Sequence, residues 1–200
     1  MILITTKRFL IILISTLLFI SYSSKNSYSQ SAENHVLGIQ ASWYTFSGLN
    51  NKYSLNKFTA FSLGAVNRRS ENTRSMIELF YSNKQIETYL YQTKVKDYIL
   101  TYGGGVTILD FLSLLKIFGD MGLLLGYEST DNHNKYDDNK ISSPFKSGLV
   151  FGGYVQVNAE LYLLRWLELY VRAQMSYNGT VVHEQWPFYQ SIGIRVMLPY

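Results

Sequence analysis

From residue 35 onward, apolar and polar side chains alternate along this chain with period two. The pattern is cleanest between Trp166 and Tyr177. There Leu167, Leu169, Val171, Ala173, Met175 and Tyr177 share one face, and Glu168, Tyr170, Arg172, Gln174 and Ser176 share the other, as in a strand. Leu149, Phe151, Val155, Val157, Ala159 and Leu161 oppose Gly152, Tyr154, Gln156, Asn158 and Glu160 in the same way. The last segment sets Ile192, Ile194, Val196, Leu198 and Tyr200 against Ser191, Gly193 and Arg195. Less regular versions of the pattern lie at 35–47, 57–69, 73–83, 96–109 and 116–128; with 147–162, 166–178 and 187–200 they predict eight strands. No helical period persists beyond a few turns, and there is no heptad or internal repeat. Pro144, Pro187 and Pro199 fall near segment ends, so strand interiors keep their backbone donors.

The predicted connections alternate in length. Polar links near Gly48–Asn56, Asn83–Val95, Glu128–Lys146 and Asn178–Trp186 are long, whereas those at Ser70–Asn72, Asp110–Leu115 and Leu163–Arg165 are short. Long loops at one end and tight turns at the other are the arrangement of an outer-membrane-type barrel. Each strand suffices for the ~9–11 residues a tilted crossing requires.

Alternation alone does not say which face looks outward, because a soluble barrel alternates with its apolar face inside. Glycines decide it: Gly38, Gly64, Gly103, Gly105, Gly122, Gly126, Gly152 and Gly193 all occupy the polar face. Glycine mixed with tyrosine suits a cramped interior of small and large side chains, not a solvated surface. A terminal aromatic, Tyr200, closes the last alternating strand, as in the assembly signal of outer-membrane barrels. The expected fold is therefore all-β: an antiparallel barrel of about eight strands with its apolar face toward lipid. Eight strands leave room for side chains but not for a wide pore.

Composition agrees. Charged residues make up 16% of the chain, against roughly 25% in an average soluble domain, and Tyr occurs 17 times. The net charge of +4 includes Lys7 and Arg8 and comes with no basic stripe, so no direct nucleic-acid binding is expected. With no cysteine in the sequence, disulfides, thiolate metal sites and a lipid-bearing lipoprotein cysteine are excluded. Lys7-Arg8, the apolar run Phe9–Ile20 and the small polar stretch Ser21–Ser29 have the layout of a secretory signal peptide. Residues 1–29 are read as that signal and 30–200 as one barrel domain, exported to the outer membrane of a Gram-negative cell.

Six charged residues fall on or near the predicted inner face: Glu78, Asp120, Glu160, Glu168, Arg172 and Arg195. Charges removed from water must pair, so a structural ion-pair network is expected there in preference to a conduit or a catalytic carboxylate pair. His35, His133 and His183, the last two read as loop residues, lack ligand spacing, and His183-Glu184 has no serine partner in sequence. The 128–146 segment carries Asp131, Asn132, Asn134, Asp137, Asp138 and Asn139 but neither the EF-hand spacing nor its glycine. Asn178-Gly179-Thr180 reads as a turn. No catalytic residue, metal, cofactor or small-molecule substrate is assigned.

The C-terminal half resembles the conjugal transfer protein TraO family of conjugative transposons. The resemblance rests on Phe151-Gly152-Gly153-Tyr154, Glu160-Leu161-Tyr162-Leu163 with Arg165, Arg172, and Gln190-Ser191-Ile192-Gly193-Ile194-Arg195; the Leu123–Tyr127 strand also fits. The chain has Leu164 and Gln174 where the family pattern has an acidic and a basic residue. The resemblance implies a non-enzymatic outer-membrane component of a conjugation apparatus, with a structural or docking role beside other transfer proteins. The alternative is a general small outer-membrane barrel that binds ligands or adheres through its external loops.

Overall fold

The structure, a computed structural model, describes residues 36–46, 54–87, 91–111, 114–134, 147–164, 166–179 and 186–198. The expected signal peptide, His35, His183 and Tyr200 lie outside the described residues. Eight strands form: β1 (Val36–Phe46), β2 (Ser54–Arg68), β3 (Thr73–Glu87), β4 (Tyr91–Phe111), β5 (Leu115–Asn134), β6 (Gly148–Leu164), β7 (Leu167–Asn178) and β8 (Phe188–Leu198). Each pairs antiparallel with its neighbour in sequence, and β1 pairs with β8 from Leu37↔Leu198 to Phe46↔Tyr189, closing the barrel. Closure leaves no edge in the wall, so the backbone groups of the wall are satisfied between strands.

The polar parity faces inward and the apolar parity outward. Leu123 is 71% exposed and Met121 69%, whereas Arg195, Asn158 and Glu160 are fully buried. Pairing register places the outward side chains of β3, β4 and β5 in rows. Leu79, Leu100 and Leu125 form one row, and Tyr81, Tyr98 and Tyr127 the next toward the loop end. Tyr81 and Tyr98 pack at 5.2 Å, and Phe61 of β2 meets Tyr81 at 5.3 Å. Around the wall, Tyr177 and Trp186 meet at 4.7 Å. At the short-turn end, Phe111 and Trp166 are both exposed. Between these aromatics the outward face of β7 is apolar from Leu167 to Tyr177, about eleven residues or ~28 Å at 3.3 Å per residue and a 40° tilt, and β5 and β6 keep an apolar outward face over a similar length.

Three strands are longer than their alternation predicts. β3 continues to Glu87 and β4 begins at Tyr91, which replaces the predicted Asn83–Val95 link with strand. β5 runs to Asn134, so Asp131, Asn132, His133 and Asn134 belong to a strand and not to a loop. Beyond the tyrosine row the outward face no longer meets an apolar phase. Asn83, Lys96 and Ser129 occupy it there, and period-two hydrophobicity fades although the hydrogen-bonded ladder continues through Glu87↔Gln92 and Tyr91↔Asn134.

Candidate functional site

The barrel interior, lined by the inward parity of all eight strands, concentrates the polar chemistry of the chain. Near the middle, Glu78 of β3 accepts from Arg172 of β7, with Nη1 to Oε2 at 2.6 Å. The Ser62 hydroxyl also donates to Glu78, as does Tyr44 at 3.2 Å. Arg172 donates from Nε to the Asn158 side-chain oxygen at 3.0 Å. The Asn158 amide in turn donates to Asp120. Asp120 of β5 is held by a two-pronged contact from Arg74 of β3, Nε and Nη2 each at 2.7 Å.

Toward the short-turn end, Arg74 also reaches Glu160 of β6. Arg195 of β8 bridges Glu160 and Glu168, its Nη1 at 2.8 and 2.9 Å, and it donates to Gln40 at 2.9 and 3.1 Å. Arg68 of β2 completes the group, 2.8 Å from Glu160 and 2.9 Å from Glu168. Aromatic faces cover the guanidiniums: Arg74 lies 4.0 Å from the Phe118 ring centroid, Arg68 lies 4.9 Å from Tyr162, and Tyr170 lies within 5.3 Å of both Arg172 and Arg195. Four carboxylates thus meet four guanidiniums, which satisfies the requirement that buried charge be compensated.

All six residues singled out in the sequence lie in this network. Sequence reasoning missed two of its cations, Arg68 and Arg74. Both flank the Ser70–Asn72 turn, where charge reads as solvated, but Arg74 has the parity of Met76 and Glu78, and Arg68 that of Ser62 and Gly64. A separate pair, Lys84 and Asp97 at 2.8 Å, sits nearer the loop end.

The inward glycines make room for these side chains. A Cβ on Gly122 would stand 2.7 Å from the Tyr154 ring, and one on Gly193 would collide with the Tyr170 ring. Above the network, Tyr44, Phe80, Ile99, Leu124 and Tyr189 form an apolar layer. The cavity there has a volume of about 20 Å³, room for about one water. Every carboxylate of the network is engaged by at least one guanidinium. Among the described residues, no group of three or more His, Asp or Glu side chains could hold a metal ion.

No family model matches the chain, and neither does any curated protein. Solved structures do match it. A major outer membrane protein from Thermus thermophilus superposes with a TM-score of 0.63 at 10% identity, over 82% of this chain and 99% of that one. Ail, the attachment invasion locus protein of Yersinia pestis, superposes with a TM-score of 0.53 at 12% identity, over 83% and 99%. The fold is that of small outer-membrane barrels.

Proposed function

We propose that this chain is an outer-membrane protein with its loop end outside the cell, and that it is a non-enzymatic component of a conjugative DNA-transfer apparatus. The membrane reading rests on the outward apolar belt with aromatics at both rims. In water, large apolar side chains such as Leu123, Leu149 and Met121 would form a continuous exposed band, far beyond the few hundred Å² that soluble monomers show. The transfer reading rests on the family resemblance across residues 148–198. Glu160, Arg172, Gly193 and Arg195 from those motifs lie inside the barrel, so they build the scaffold and leave partner contact to the loops and the outer surface.

A filled interior favours a structural or docking role over conduction. The test is deletion of the gene in a donor strain, followed by mating. Transfer should fall steeply and recover on complementation, and crosslinking should recover other transfer proteins with the barrel. Unchanged transfer, with the protein still fractionating in the outer membrane, would overturn the conjugation role and leave a barrel that works through its external loops.

A further inference from the structure

Just beyond the tyrosine row of β3, β4 and β5, the next outward row is Asn83, Lys96 and Ser129, and the one after it is Gln85, Lys94 and Asp131. Lys94 and Lys96 are exposed. Neither has an ion-pair partner among the described residues, where the other exposed cation is Arg69, at the opposite end of the barrel. Among the described residues, charge on the outer wall is otherwise sparse, so two neighbouring lysines at the polar edge of the belt are a local feature of this strand.

We infer that this patch binds the phosphate of an outer-leaflet lipid, with its acyl chain on the leucine row below. The arrangement matches an amphipathic ligand from end to end. Leu79, Leu100 and Leu125 offer an apolar track, and the tyrosines mark the depth of the interface. Lys96 stands one row above them, between the hydrogen-bonding side chains of Asn83 and Ser129. Lys94 adds a second positive charge, with Asp131 opposite it as the only acid in these two rows. A phosphate at this depth sits where a lysine interacts with it most strongly, within a Debye length of the membrane surface. The inference rests on the outer-membrane reading, but not on the conjugation role.

The test uses the full chain, folded in phosphatidylcholine nanodiscs that carry a small fraction of labelled lipid A, either phosphorylated or enzymatically dephosphorylated. Folding is verified first by heat-modifiable gel migration. The wild type should bind the phosphorylated form more tightly. The K94Q/K96Q variant should weaken that binding by roughly 25-fold, about five-fold per lysine, while Arg69→Gln leaves it unchanged. A folded barrel with no preference for the phosphorylated lipid, or a double variant that keeps it, would overturn this inference alone. Inorganic phosphate binding as tightly as the lipid would also overturn it, because the leucine row would then contribute nothing. Failure to insert into any bilayer would overturn the membrane reading together with it.

Discussion

Glu160 has three guanidinium neighbours, Arg68, Arg74 and Arg195, all reaching it inside a wall closed to water. Replacing it with alanine leaves those cations with too few anions, and breaking a buried pair from one side costs about 3–5 kcal/mol. Urea unfolding of Glu160→Ala in lipid vesicles should show a loss of that size. A double-mutant cycle between Arg74 and Glu160 should give a coupling of about 0.5–3 kcal/mol, since the two share one network. Gly193→Val tests the packing: its side chain would strike Tyr170 and the Ala41 carbonyl, and a loss of about 1–3 kcal/mol is expected in the same assay. Much at this scale is legible in the sequence. Period-two parity places Glu78, Asp120, Glu160, Glu168, Arg172 and Arg195 on one face, and the excess of glycine there says that the face is crowded. Which acid meets which arginine is not legible, because partners such as Arg172 and Glu78 lie on β7 and β3 and meet only across the closed barrel.

At the scale of elements, the strands are most readable where they cross the apolar belt. The phase change from outward leucine to inward arginine is sharp in β7, whose predicted bounds nearly coincide with Leu167–Asn178. It is lost in β4 beyond Tyr98, because the outward face there carries Lys96 and Lys94 while the inward one mixes Asp97, Val95 and Thr93, so hydrophobicity no longer marks a phase. Outward position therefore sets the cost of a charge. Leu123→Arg, within the belt, should destabilise the folded barrel by about 2–4 kcal/mol, while Asp131→Arg, beyond the tyrosines, should cost about 0–1 kcal/mol. Equilibrium unfolding in bilayers compares the two directly. The extension of β4 and β5 past the tyrosine row spans about seven residues, or ~20 Å. An epitope inserted between Glu87 and Tyr91 should accordingly be stained on intact cells.

For the whole molecule, the filled interior sets the expectation. With Arg172 and Arg195 fully buried in the middle of the barrel and a cavity of only about 20 Å³ above them, the wild type should show no sustained conductance in planar bilayers. A steady open channel of nanosiemens size would contradict the packing described here. The closed architecture is legible from strand count and loop alternation, although β3 runs to Glu87 and β4 starts at Tyr91, where the alternation predicts a long link from Asn83 to Val95.

The ion pairs that join opposite walls also constrain how the molecule can be made. Arg74 on β3 and Arg68 on β2 find Glu160 on β6 only when the sheet has curled round to meet itself. A half-built sheet lying in hydrocarbon would carry unneutralised guanidiniums and carboxylates on the face that has yet to become an interior. Insertion strand by strand is therefore steeply uphill, and curling and entry into the bilayer have to happen as one event, or under the shelter of an assembly factor that keeps that face wet until the last strand docks.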